Sequence, residues 1–176
     1  KLLAATALVT VMASGAHAKT LVYCSEGSPE NFTPSINTTG TSFDAARPVY
    51  NKLVQFTPGT TTVEPGLAES WTVSEDGKTI TFKLRAGIKV HSGVNGFTPT
   101  RDLNAEDVIW SFERMWKADH PYAKVSAGSY DYFNDMGMPD LLAAVEKGGD
   151  DLTVVIKLNK ANAPIMPRGL FAGNDI

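Results

Sequence analysis

From Thr79 to Leu84 the chain alternates without a break. Ile80, Phe82 and Leu84 fall on one side of an extended strand, and Thr79, Thr81 and Lys83 fall on the other. The turn Glu75-Asp76-Gly77-Lys78 stands before it, with an Asp-Gly step that tolerates positive φ. Ahead of the turn, Trp71 and Val73 alternate with polar residues. A strand with one apolar face has to pair and pack, so these residues predict a half-buried antiparallel hairpin. The pattern returns downstream, where Leu152, Val154, Ile156 and Leu158 alternate behind the turn Gly148-Gly149-Asp150-Asp151. Residues Leu141 to Lys147 have helical propensity, but that turn and the strand behind it favour a second hairpin. Between the hairpins Asn104 is placed to cap a helix, with Asp107 three residues on to complete a capping box. Val108, Ile109, Phe112, Met115 and Trp116 make one apolar stripe along it, and His120-Pro121 is expected to end it. Other elements are weaker. Thr20 to Ser25 reads as a short strand. Ser42-Phe43-Asp44 is placed to start a helix through about Val54, with Pro48 delaying or kinking it. Asn162-Ala163-Pro164 reads as a helix start. Short strands joined by long loops and helices predict a mixed α/β fold rather than a bundle or sandwich.

The first residues read as an export signal. Lys1 is followed by an uncharged run from Leu2 to Gly15, and Ala16-His17-Ala18 offers small residues at an A-x-A cleavage site. The run is too short to cross a hydrocarbon core of about 30 Å comfortably, which favours a cleaved signal peptide over residues 1–18 to an anchor. Cys24 does not follow the cleavage position directly, so a soluble periplasmic mature form is expected instead of a lipoprotein. At the other end, Asn174-Asp175-Ile176 comes after the start of an apolar stretch without a turn, and the sequence reads as a fragment. The whole chain carries 16 basic and 19 acidic residues, net −3. That balance gives no electrostatic footprint for nucleic acid and no polybasic membrane surface. Cys24 is the only cysteine; a free thiol, a partner elsewhere and a small buried thiol on a strand all remain open.

Catalytic patterns are missing. There is no Gly-x-Ser-x-Gly elbow, dinucleotide fingerprint or P-loop. The histidines are His17, His91 and His120, too scattered to suggest a metal site. Glu69, Glu75, Asp76, Asp102, Glu106 and Asp107 stand mostly at turns or at a helix start, where capping and solubility explain them. Tyr130, Tyr132 and Phe133 form an aromatic knot beside Gly128, better read as an anchor for long loops than as a pocket lining. Thr38-Thr39-Gly40 is a small polar loop that can bring backbone groups close to a ligand.

Three segments carry a resemblance: Gly66-Leu67-Ala68-Glu69-Ser70-Trp71 with the turn after it, Phe82-Lys83-Leu84-Arg85-Ala86-Gly87-Ile88-Lys89-Val90-His91, and Leu103-Asn104-Ala105-Glu106-Asp107-Val108-Ile109-Trp110-Ser111-Phe112. In order and spacing they resemble the signature region of family 5 extracytoplasmic solute-binding proteins, which serve peptide and nickel ABC importers. The stretches from Lys19 to Glu30 and from Tyr122 to Phe133 are similar to the dipeptide-binding members of Gram-negative bacteria. Val90 departs from the pattern, which has Trp before the His, and Pro48 sits where the match is uneven. The resemblance implies the N-terminal part of a two-lobed periplasmic-binding-protein fold, type II-like, with an extra subdomain in the first lobe. Residues 19–50 would begin lobe I, 51–162 would form the extra subdomain, and 163–176 would return toward lobe I; the second lobe is absent.

By the same resemblance the protein is a monomeric periplasmic receptor, without cofactor or metal, that captures a dipeptide or short peptide and hands it to an ABC permease in the inner membrane. Thr38, with Thr39 and Gly40, maps to the first-lobe ligand contact. The Asp and Arg that grip the peptide termini would lie in the missing later part. Cys24 would pair with a cysteine there. Within the family, a receptor for nickel, haem or another small solute is the alternative. An exported hydrolase is the alternative of another class, and it lacks a visible nucleophile–base pair or carboxylate pair. A structural surface domain would show repeats or a more uniform β pattern.

Overall fold

The structure is a computed structural model and describes residue 20, residues 22–125 and residues 129–166. The expected signal peptide lies outside the described residues.

Both hairpins form. In chain order the strands are β1 (Val54–Phe56), β2 (Val63–Pro65), β3 (Ala68–Val73), β4 (Thr79–Leu84), β5 (Leu142–Lys147) and β6 (Thr153–Leu158). β1 and β2 make a small two-stranded sheet, and the rest make a four-stranded antiparallel sheet in the order β3-β4-β6-β5. The hairpins β3–β4 and β5–β6 are zipped together along β4 and β6, with Ile80 opposite Ile156 and Phe82 opposite Val154. The alternation dictates this. Ile80, Phe82 and Leu84 and then Val154, Ile156 and Leu158 are all buried on the shared face.

Helix α1 spans Gly40–Ala46, α2 spans Ala105–Trp116, α3 spans Asp131–Asp135 and α4 spans Met138–Leu141. The capping box of α2 is complete. Asn104 Oδ1 accepts from the Glu106 N–H at 2.9 Å, and Asp107 Oδ2 accepts from the Asn104 N–H at 2.9 Å. The helix lays Val108, Phe112 and Met115 into the core and packs over β5 and β6. Tyr130 and Phe133 join that core, as expected of an anchoring knot, and Tyr130 Oη donates to the Ala123 carbonyl at 3.0 Å.

The three signature segments turn out to be stitched together. The Arg85 N–H donates to Leu67 O and its Nε to Gly66 O, and the Leu103 N–H donates to Ile88 O. Gly66 is required by contact: a Cβ there would stand 2.3 Å from Lys52 O.

Several expectations are corrected. Residues 22–25 form no strand: Val22 and Tyr23 are 78% and 63% exposed, and no described strand pairs with them. Extended propensity without a ladder partner does not make a strand. Helix α1 begins at Gly40, not late, and stops before Pro48, whose ring nitrogen has no hydrogen to continue the ladder. Helix α2 ends at Trp116, ahead of His120-Pro121, with Lys117 extended at its C-cap. Trp71 packs partly buried against the core as expected, but Val73, at the end of β3, an edge strand with a register shift between Ala68 and Ser70, is 50% exposed. At the expected helix start, the Ile165 N–H closes a turn on Asn162 O, and residues 167–176, which would continue a helix, lie outside the described residues.

The second turn carries a pH-sensitive contact. Asp150 accepts from Lys83 Nζ at 2.5 Å, from Thr153 Oγ1 at 2.7 Å and from the Leu152 N–H at 2.9 Å. Lys83 foremost, then Thr153 and Leu152, pull its carboxyl down from 3.8 to about 2. A depressed pKa stabilises the fold above the unfolded value, and this contribution is lost as pH falls from 3.8 toward about 2. Asp150→Asn is therefore expected to be less stable than the parent at neutral pH and to converge with it near pH 2, as urea midpoints across that range would show. Parallel midpoint curves would refute the assignment.

Candidate ligand-binding edge

Thr38, Thr39 and Gly40 sit together between a 3-10 turn, Pro34–Ile36, and the start of α1. Thr38 and Gly40 are exposed and Thr39 is half-buried. Thr39 is the N-cap of α1, and its carbonyl accepts from the Phe43 N–H at 3.2 Å. Its hydroxyl does not cap the helix and donates instead to Ser42 Oγ at 3.0 Å. A Cβ at Gly40 would meet nothing within 4 Å, so no described residue demands glycine there. The edge-on stack of Phe43 on Tyr132, centroids 5.0 Å apart, ties α1 to α3. Tyr50 Oη donates to Phe32 O at 2.6 Å and closes the segment from the other side.

A groove of about 490 Å³ opens nearby, lined among others by Tyr50, Ile88, Val90, Leu103 and Trp110. Across Tyr50, Trp110 and Ser111 it meets a second depression that reaches Thr33, Pro34 and Ser35, the turn leading to Thr38. Sequence reasoning placed no site here. The available signal was Trp110, a large aromatic off the buried stripe of α2 and 42% exposed. His120 and Tyr122 meet its ring at centroid distances of 5.3 and 5.6 Å, and the Arg114 guanidinium lies 5.8 Å from its centroid.

The charges around the groove are mutually paired: Lys89 with Asp102 at 2.6 Å, and Arg101 with Asp107 at 2.6 Å. Burial opposes ionisation of Asp107, yet the Arg101 guanidinium and the Asn104 N–H outweigh it and hold the carboxyl below its ordinary range. Among the described residues no three His, Cys, Asp or Glu side chains are grouped to hold a metal, and no helix is long and apolar enough to cross a membrane. Cys24 is exposed and carries no disulfide to a described residue.

The family model described as bacterial extracellular solute-binding proteins, family 5 Middle, matches residues 62–173. The chain is 56% identical to the dipeptide-binding protein of Escherichia coli over 156 residues, which cover 88% of this chain and 29% of that protein. It is 49% identical to heme-binding protein A of Haemophilus influenzae over 148 residues, 84% of this chain and 27% of that one. The solved structure of a dipeptide binding protein from Pseudoalteromonas sp. SM9913 in complex with Met-Leu is similar with a TM-score of 0.74 at 37% identity, over 82% of this chain and 28% of that chain. The chain thus spans less than a third of the length of these relatives. The matched span contains all three signature segments and the whole four-stranded sheet, and the chain belongs to the bacterial extracellular solute-binding proteins of family 5.

Proposed function

We propose that this chain is part of the periplasmic substrate-binding component of an ABC transporter, which captures dipeptides or short peptides and delivers them to a membrane permease. The observation that carries this reading is the 56% identity with the Escherichia coli dipeptide-binding protein across 88% of the chain. In this reading residues 51–162 are the extra subdomain of lobe I, residues 19–50 begin that lobe, and Thr38, Thr39 and Gly40 form one edge of the peptide site. The exposure of Thr38 and Gly40 and the free space around Gly40 suit a close approach by a peptide backbone. Cys24 pairs with a cysteine later in the polypeptide. The protein works as a monomer, and the cycle is closure on the ligand and release at the permease, with no covalent step.

Calorimetry on the full-length protein with a dipeptide panel is expected to give a Kd in the micromolar range or tighter, about −8 kcal/mol or better. The peptides should be recovered intact, which separates a receptor from a hydrolase. An absence of both heat and thermal shift across the panel would sink the proposal. The 49% identity with heme-binding protein A of Haemophilus influenzae favours haem as the second reading. Titration of the same protein with haem tests it, and haem binding without dipeptide binding would replace the first reading by the second.

A further inference from the structure

Among the described residues, the buried polar side chains are Asn37 and Ser42, each 1% exposed. They flank the Thr38–Gly40 loop, one directly before it and one just inside α1. Both reach back to the same short stretch of chain. Asn37 Nδ2 donates to Asn31 O at 3.3 Å, and Ser42 Oγ accepts from the Glu30 N–H at 3.0 Å. Ser42 Oγ also accepts from Thr39 Oγ1, so it holds the loop itself as well as the segment behind it. Asn37 Oδ1 is buried and no described residue donates to it. Buried polar groups are costly to keep unless their bonds serve the fold or a site. The hydrogen bonds of these two run to Glu30, Asn31 and Thr39, none of which belongs to the sheet or to α2.

We propose that Asn37 and Ser42 are positioning residues, a two-point polar clamp that holds Thr38, Thr39 and Gly40 in their ligand-binding arrangement before the peptide arrives. This rests on the proposed peptide site. The physical gain is preorganisation: a loop already ordered does not lose its conformational freedom at the moment of binding. The tie at Ser42 is a hydroxyl with two incoming donors, so Ser42→Ala unfastens both while removing one atom from the buried interior. Asn37→Ala releases the other end.

The test uses the full-length protein with four variants: Ser42→Ala, Asn37→Ala, Thr38→Ala, and Val154→Ala in the core of β6, remote from the loop. Dipeptide Kd is read by calorimetry, Tm by melting, and loop order by amide hydrogen exchange of the unliganded protein over residues 28–44. Ser42→Ala and Asn37→Ala are each expected to raise Kd by about tenfold and to speed exchange in that stretch. Val154→Ala should lower Tm with Kd unchanged, which shows that loss of stability alone does not weaken binding. If Thr38→Ala weakens binding while Ser42→Ala and Asn37→Ala keep the parental Kd and exchange, the clamp is refuted and the site reading stands. If Thr38→Ala also leaves Kd unchanged in a protein that binds dipeptides, the loop is not the ligand edge and both fall.

Discussion

Phe82→Ala is expected to destabilise the protein by about 3–5 kcal/mol, the usual cost of emptying a fully buried phenylalanine site. Phe82 has no exposed surface and lies at the centre of the sheet, opposite Trp71 on one side and Val154 on the other. Native domains are stable by only about 5–15 kcal/mol, so this one change should remove a large share of the total. Urea denaturation should show a lower midpoint with an unchanged slope. Val73→Ala, half-exposed on the edge strand of the same hairpin, is the matched control and should shift stability by no more than about 0.5 kcal/mol. A Phe82→Ala cost below about 1 kcal/mol would contradict the assignment of that face to the core.

Gly66→Ala is expected to be as damaging, for an unrelated reason. Its added Cβ would meet backbone on one side, Lys52 O at 2.3 Å and Leu53 O at 3.1 Å. Backbone there cannot yield cheaply, because the Gly66 and Ala68 N–H groups donate to Leu53 O and the Leu67 N–H donates to Lys52 O at 2.8 Å. Moving one carbonyl away breaks bonds that the neighbouring residues share. The expected loss is about 3 kcal/mol or more. Gly40→Ala provides the contrast. With open space around it and a place in the first turn of a helix, alanine there should leave stability unchanged or raise it by up to about 1 kcal/mol. Equal losses at the two glycines would overturn the account of Gly66.

The elements that can be read from the sequence are those whose information is local. The period-2 runs at Thr79–Leu84 and Leu152–Leu158, the Asp76-Gly77 turn and the Asn104–Asp107 capping box each lie within a few residues. The structure reproduces them nearly to the residue. The elements that escape depend on distant partners. Trp71 and Val73 alternate as a half-buried strand should, but β3 has β4 on one side only, and the sequence of β3 does not say so. Thr20 to Ser25 has the composition of a strand, and no described strand pairs with residues 22–25. The end of α1 is hard to read because the apolar spacing runs on past Pro48, while the backbone needs a hydrogen that proline lacks. For the candidate site, composition offers only a small polar loop, and it is the family resemblance that singles out Thr38. The buried state of Asn37 and Ser42 has no signature, since both are residue types normally found in solvent. The groove at Trp110 is harder to read: Trp110 stands off the apolar stripe of α2, but its partners Tyr50, His120 and Tyr122 come from distant segments.

The pairing of β4 with β6 has a consequence for how this unit is made. Each hairpin can close by itself over a short turn, but the central ladder joins Ile80 to Ile156 across everything between them, α2 included. That ladder is a long-range contact, of the kind that slows folding in proteins of high contact order. The entropy of closing that excursion grows only slowly with its length, by about 0.6 kcal/mol per doubling. Within that excursion α2 and its buried residues are fixed by the core, so it is the exposed loop at residues 91–98 that should accept added or lost residues at little cost in stability.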